Sequence, residues 1–136
     1  EKNVIFIGKV NDLQKKYLFQ KAKLMIMPTL DETQNRSIEG FGISYIEAAF
    51  FAIPSIASNV GGTPEAVIDN STGKIINDIG DLFTTIRELL LNQNKIKVLG
   101  QNAQKRAMDE FNWDYITKKY LSLIFLFQPS YIVEDI

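Results

Sequence analysis

Short apolar runs alternate with longer amphipathic stretches along this chain. Four short, mostly apolar runs, at residues 4–7, 24–27, 55–58 and 74–76, are typical of buried strands. Between and after them the pattern changes to helical spacing, and we predict helices over residues 12–22, 42–51, 64–68, 81–91, 95–110 and 113–127. This alternation predicts an α/β fold, a Rossmann-like parallel sheet with helices on both faces.

Individual side chains are predicted to cap or anchor these helices. Asn11 and Thr63 are good N-caps, and Pro64 suits the first position of its helix. The polar, unpatterned residues 29–38 predict a long loop, and long loops in compact domains tend to serve function. The residues predicted to face the interior are Leu13, Tyr17, Leu18, Phe50, Phe51, Leu82, Ile86, Leu89, Leu90, Val98, Leu99, Ala103, Ala107, Phe111 and Trp113.

Length and composition restrict the class of protein. A chain of 136 residues with 46% hydrophobic and 23% charged residues predicts one globular domain, over residues 1–127, and a loose tail at 128–136. The net charge of −1 gives no basic field for nucleic acid. The lack of Cys and His excludes disulfides, a Cys nucleophile and a His general base. The apolar run at 120–127 is too short to cross a bilayer.

The stretch EGFGISYIEA, residues 39–48, combines features that suit a ligand. It follows the loop after the second predicted strand, and a doubly wound sheet binds ligands outside the carboxyl ends of its strands. The helix predicted from Gly42 aims free N–H groups at that crevice, which attracts phosphate, and Gly40 allows close approach to the backbone. Glu39 and Glu47 can accept hydrogen bonds from sugar hydroxyls. Taken singly, each residue is more simply explained by a turn or by the helix dipole.

Together these residues resemble a known family. EGFGISYIEA, followed by AIPSIASNVGGTPEAV, is similar to the donor-binding half of the retaining GT-B glycosyltransferases of family 4, the group 1 glycosyltransferases. The hallmark of that family is Glu, seven residues, Glu, which Glu39 and Glu47 match. The strand start VIFIGKV, the strand ending in Pro-Thr at 28–29, the GG-x-PE turn and the segment FNWD extend the resemblance over residues 3–125. It implies the C-terminal half of a GT-B fold.

The resemblance also implies a role for each residue of the motif. Glu39 would hydrogen-bond the donor sugar and steady the developing oxocarbenium charge, which makes it the catalytic residue. Glu47 would bind the ribose hydroxyls, and Val10 would lie near the nucleobase. The backbone N–H groups offered to the sugar and diphosphate would be those of Gly40, Phe41, Gly42, Ile43 and Ser44. Gly61 and Gly62 are expected to shape a turn rather than contact the ligand.

The chain departs from the family pattern in two ways. Nothing in it matches the Arg and Lys that clamp the diphosphate, and the N-terminal acceptor domain is absent, so we expect a part of a longer enzyme, inactive alone. The family implies a UDP- or GDP-sugar donor, an acceptor glycan or lipid, and no metal or other cofactor. It also implies a cytoplasmic location, with peripheral association at the inner face of the membrane.

Two other interpretations stay open. The chain could be a non-catalytic nucleotide- or sugar-binding module of the same fold, or an interaction domain with a vestigial site. The residues encoded before Glu1 would separate an enzyme from a binding module, because an acceptor domain and a cationic clamp belong only to the enzyme. The apolar segment 121–127 is also expected to promote self-association of the isolated chain, since it forms a contiguous apolar patch.

Overall fold

The computed structural model describes residues 3–29 and 39–126. Within these ranges the helices and strands follow in the order α1 (Asp12–Lys21), β1 (Met25–Met27), α2 (Ile43–Phe50), β2 (Ser55–Ser58), α3 (Thr63–Ala66), β3 (Gly73–Ile76), a 3₁₀ turn (Ile79–Asp81), α4 (Leu82–Leu91), α5 (Gln93–Glu110) and α6 (Trp113–Leu126). Of the predicted loop at residues 29–38, the structure describes only Thr29. The predicted tail at residues 128–136 lies outside the described residues. No helix of the described ranges is both long enough and apolar enough to cross a membrane.

The three strands form one parallel sheet in the order β1-β2-β3. Met25 lies opposite Ser55, and Ser55 in turn lies opposite Gly73. Because parallel strands need crossover connections, α2 joins β1 to β2, and α3 lies between β2 and β3. The carboxyl ends of all three strands therefore meet at one edge of the sheet. The predicted α/β fold class is confirmed.

Two hydrophobic clusters lie on opposite faces of β2. Ala57 belongs to the cluster formed with α2, α3 and the second half of α5, and Tyr45 of α2 is its largest fully buried side chain. The adjacent Ile56 belongs to the other cluster, with Leu89 of α4 and Leu99 of α5. Successive strand residues point to opposite faces, so these two clusters show that helices cover both faces of the sheet.

The N-terminal part of the chain departs from the predicted pattern. Residues 4–7 form no strand in the structure, and their side chains are 53–94% exposed. A strand needs a hydrogen-bonding neighbour, and among the described residues none pairs with this run. Helix α1 is confirmed, with Asn11 and Gln14 forming a capping box, but it buries no side chain. Its predicted inward face is wrong, since Leu13 is 80% exposed and Tyr17 is also exposed.

Five further residues that were predicted to face the interior are also exposed. Trp113 is 82% exposed, because α6 buries none of its residues within the described part of the chain. Phe50 is 37% exposed, whereas Phe51 stacks on Phe19 of α1 at 5.5 Å between ring centroids. Leu18, Leu90 and Val98 are exposed as well. The remaining predicted core residues of α4 and α5 pack in the two clusters; they are Leu82, Ile86, Leu89, Leu99, Ala103, Ala107 and Phe111.

Candidate functional site

The N-terminus of α2 opens at the carboxyl end of β1. Gly42 is its N-cap, with φ of 83° in the left-handed region, and no side chain caps the helix. A Cβ atom at Gly42 would lie 2.5 Å from the ring of Tyr45, so both the backbone conformation and the close packing require glycine here. Among the described residues no acceptor takes the N–H groups of Ile43 and Ser44. These two donors, together with the helix dipole, make a site that favours an anion.

Tyr45 fastens this helix start to the sheet. Its side chain is 1% exposed, and its hydroxyl donates to the carbonyl oxygen of Met27 at 2.5 Å. Burial raises the pKa of this hydroxyl, a hydrogen bond with Thr29 lowers it, and the negative charge of Glu39 raises it further. No supporting role was predicted for Tyr45, although its position three residues after a glycine N-cap places it in the first turn of the helix.

Glu39 is held by the glycine turn that follows β2. Its carbonyl oxygen accepts from the N–H of Gly62 at 3.0 Å, and its Oε1 accepts a long hydrogen bond from the N–H of Phe41 at 3.4 Å. A Cβ atom at Gly62 would lie 1.9 Å from the carbonyl oxygen of Gly40, so Gly62 has to be glycine for the two segments to touch. The turn thus serves packing, and it sets the position of Glu39 half-buried beside the α2 N-terminus.

Two further side chains, those of Thr63 and Phe41, make contacts in the glycine turn and in the segment that carries Glu39. The Thr63 hydroxyl, which is fully buried, donates within the turn to carbonyl oxygens of Ser58 and Val60. Thr63 is the first residue of α3, with Gly62 as the N-cap, so its predicted capping role is wrong by one position. The ring of Phe41 packs on Phe111 at 5.6 Å, which turns this side chain towards α5.

Arg106 of α5 completes this support. Its guanidinium donates to the carbonyl oxygens of Glu65 and Ala66 at the end of α3, and to the carboxylate of Glu110. It also lies over the ring of Phe111 at 4.9 Å. Arg106 could not be singled out from the sequence, because folding alone brings it to the carbonyl oxygens of Glu65 and Ala66, 41 and 40 residues away.

Glu47 lies in the second turn of α2 and is bound by a lysine from α1. The Nζ of Lys15 lies 2.6 Å from Oε1 of Glu47, and the two side chains are 42% and 37% exposed. The hydrogen bond and the charge of Glu47 raise the pKa of Lys15. Lys15 could not be singled out from the sequence either, because its partner lies 32 residues away.

Val10 lies immediately before the cap of α1. It is half-buried and lines a groove of about 400 Å³ together with Ile7, Lys9, Leu13, Gln14, Tyr17 and Leu18. The predicted site residues therefore occupy two places: residues 39–44 and Glu47 lie around the start of α2, and Val10 lies at the start of α1. The ion pair between Lys15 and Glu47 connects the two helices.

The sheet, its flanking helices and the helix start at the strand ends define a Rossmann-like domain of the GT-B type. The profile of the family described as "Glycosyl transferases group 1" matches residues 1–106. Since the match covers well over half of the chain, the chain belongs to this family. The family resemblance predicted from the two acids and the glycine turns is confirmed.

Relatives in this family include bacterial mannosyltransferases. The chain is 30% identical over 94 residues to the GDP-mannose-dependent alpha-(1-6)-phosphatidylinositol monomannoside mannosyltransferase of Mycolicibacterium smegmatis. The aligned segment covers 68% of this chain and 25% of the relative. The chain is also 32% identical over 124 residues to the O-antigen chain mannosyltransferase C of Escherichia coli. Here the aligned segment covers 89% of this chain and 32% of that protein.

A solved structure shares the fold of this chain. Sucrose-phosphate synthase from Thermosynechococcus elongatus superimposes with a TM-score of 0.77 and 28% identity, over 92% of this chain and 30% of that one. The chain thus spans between a quarter and a third of the length of these three proteins.

Proposed function

We propose that this chain is the donor-binding half of a retaining glycosyltransferase that transfers a sugar from a nucleotide-sugar to an acceptor glycan or lipid. The observation that carries the proposal is the uncapped start of α2 behind Gly42, with Glu39 before it and Glu47 one turn inside it. Free N–H groups suit a diphosphate, and carboxylates suit hydroxyl groups. One ligand class, a sugar joined through a diphosphate to a ribose, presents both kinds of group in line.

The proposed roles follow the ligand from sugar to base. Glu39 contacts the transferred sugar and stabilises positive charge as the bond to the diphosphate breaks. The backbone at residues 40–44 receives the diphosphate, Glu47 accepts from the ribose hydroxyls, and Val10 borders the nucleobase. Because the sugar acquires charge only in the transition state, the contact of Glu39 is the one that accelerates the reaction.

The named relatives favour a GDP-sugar donor, since one of them is GDP-mannose-dependent and another is a mannosyltransferase. We propose that the whole protein closes a second domain over the donor to place the acceptor, as a two-domain site must do to exclude water. A lipid acceptor would bring it to the inner face of a membrane. We expect transfer to continue in the presence of EDTA, since the helix start and the cationic clamp would replace a metal ion.

Two substitutions in the full-length protein test the division of roles. Glu39→Gln should lower kcat by about a hundredfold or more, because it removes a contact made mainly in the transition state. Glu47→Gln should raise the donor KM by about tenfold with a smaller change in kcat, because the ribose contact exists in both states. The assay follows release of GDP from GDP-mannose, and of UDP from UDP-glucose, in the presence of membrane lipid and glycan extracts.

Glu88→Gln is the matched control, because Glu88 is an exposed acid on α4, on the helix that packs against the opposite face of the sheet. Equal, purely KM effects of the two site variants would refute the roles assigned to them. Calorimetry with GDP and UDP adds the binding arm. Tight donor binding with no transfer to any acceptor would favour the non-catalytic module instead.

A further inference from the structure

Helices α1 and α2 lie side by side in matched register. Lys15 pairs with Glu47, and Phe19 stacks on Phe51, so both pairs join residues 32 positions apart. Lys15 and Phe19 are one helical turn apart, as are Glu47 and Phe51. Residues four apart share one face of a helix. The two helices therefore run in the same direction, and the start of α1 lies at the same end as the start of α2.

This contact gives α1 an orientation that its apolar residues do not explain. None of its side chains is buried, and Leu13 and Tyr17 face solvent. The face that meets α2 carries Lys15 and Phe19 instead. An apolar side chain at this contact could also hold the two helices together. Only a cation such as Lys15 can in addition hold the carboxylate of Glu47.

The pair leaves half of the Glu47 carboxylate available. Its Oε1 accepts from Lys15 at 2.6 Å, whereas Oε2 has no hydrogen-bond donor among the described residues. A carboxylate has room for several donors, so a lysine on one oxygen leaves the other for a pair of hydroxyls. A bound lysine also restricts the rotamers of the acid, which reduces the ordering needed when a ligand binds.

We propose that Lys15 is a positioning residue for the nucleoside part of the donor, which holds Glu47 through Oε1 so that Oε2 faces the ribose hydroxyls. The inference rests on the proposed function, and in particular on the ribose contact of Glu47. It adds a residue from α1 that makes no contact with the ligand itself. Lys15 is expected to act through Glu47 alone, and therefore to affect only ligands that carry the ribose hydroxyls.

The test compares Lys15→Met and Lys15→Arg with Lys16→Met in the full-length protein. Lys16 is the exposed neighbour, forms no salt bridge among the described residues, and serves as the matched control. The probes are GDP, 2′,3′-dideoxy-GDP and inorganic pyrophosphate, with dissociation constants measured by calorimetry or competition. Lys15→Met should raise the dissociation constant of GDP by about tenfold, which is the effect expected from the loss of one charge-assisted hydrogen bond. The same substitution should change the dissociation constants of the dideoxy analogue and of pyrophosphate by less than about twofold.

Lys15→Arg should restore GDP affinity to within about threefold of wild type, because the guanidinium keeps the charge and the hydrogen bond. Lys15→Met combined with Glu47→Gln should be no weaker than Glu47→Gln alone. Thermal melting of each variant separates a loss of fold from a loss of positioning, and rescue by arginine would not follow a general loss of structure.

Three results would overturn the inference while leaving the proposed function intact. Unchanged GDP affinity would mean that Glu47 needs no holder. Tighter GDP binding would mean that Lys15 competes with the ribose. Equal losses for GDP and pyrophosphate would mean that Lys15 attracts phosphate as a charge. If wild-type protein binds neither GDP nor UDP, or if Glu47→Gln has no effect on either, the proposed function itself fails and the inference falls with it.

Discussion

Residues 3–21 and residues 39–76 are both rich in apolar side chains, yet the structure holds them by different means. In the second segment Tyr45, Ile56 and Ala57 are buried in clusters that involve both faces of the sheet. In the first, Phe6 is almost fully exposed, and α1 meets α2 through an ion pair and one aromatic stack. Apolar composition shows which residues can be buried, and only neighbouring strands and helices decide which are.

The difference matters for the proposed site, because the site uses both segments. The part that would receive sugar and diphosphate is built on the closely packed segment, where glycine contacts fix the backbone. The part that would receive the nucleoside depends on the position of α1. The first part is therefore expected to be rigid, and the second to respond strongly to single surface contacts.

The largest expected effect in a comparison of the two segments is at Gly62. A Cβ atom there would lie 1.9 Å from the carbonyl oxygen of Gly40, so Gly62→Ala should lower the free energy of unfolding by about 3 kcal/mol or more. At Gly8 a Cβ atom meets nothing within 4 Å, and Gly8→Ala should cost only about 1 kcal/mol, for its φ of 60°. Urea denaturation measures both. Similar, small losses at the two glycines would contradict the tight packing of residue 40 on the turn.

A second pair compares a leucine from the core with one from α1. Leu89 is 1% exposed, so Leu89→Ala should cost about 3 kcal/mol through lost burial and a cavity. Leu13 faces solvent, and Leu13→Ala should stay within about 0.5 kcal/mol. The midpoint of urea denaturation reports each change. A large loss at Leu13 would show that α1 is packed on a surface that the described residues do not provide.

A third and smaller contrast concerns two tyrosines. Tyr45→Phe removes the donor to the Met27 carbonyl oxygen and should cost about 1 kcal/mol. Tyr17→Phe, at an exposed position of α1, should cost no more than a few tenths of that. Thermal denaturation at pH 7 compares them.

Wild type and Tyr45→Phe should also differ in their stability at alkaline pH. Burial raises the pKa of Tyr45 in the folded protein, so the unfolded chain releases this proton first. The stability that depends on the neutral hydroxyl is fully present below about pH 10 and is lost as the pH rises through the higher folded pKa. Tyr45→Phe should therefore flatten the fall in stability that wild type shows above pH 10. A parallel fall in wild type and Tyr45→Phe would show that other groups cause it.

The central part of the fold was predictable from local pattern. The runs at β2 and β3, the helix after Gly42 and the glycine turn at 61–62 are each defined by residues close in sequence. The two acids and their spacing also identified the family, since that signal is contained within ten residues. Site roles for Glu39 and Glu47 remain predictions.

The errors share a physical cause, which is dependence on distant partners. The run at 4–7 has a strand's composition, but no strand forms among the described residues without a neighbour to pair with. Trp113 looked like an anchor because tryptophan is usually buried, yet α6 packs none of its side chains in the core. Lys15 and Arg106 could not be singled out from sequence, because each is defined by a partner 32 or more residues away.

Hydrogen–deuterium exchange of the full-length protein, with and without saturating GDP, tests directly whether the start of α2 binds the nucleotide of the donor. We expect slower exchange of the amides at residues 40–47, where the start of α2 would receive the diphosphate and the ribose. Amides of α4, over Leu82–Leu91, should be unchanged, since that helix lies against the opposite face of the sheet. Binding of GDP that leaves the exchange of residues 40–47 unaltered, while slowing other amides, would contradict this expectation.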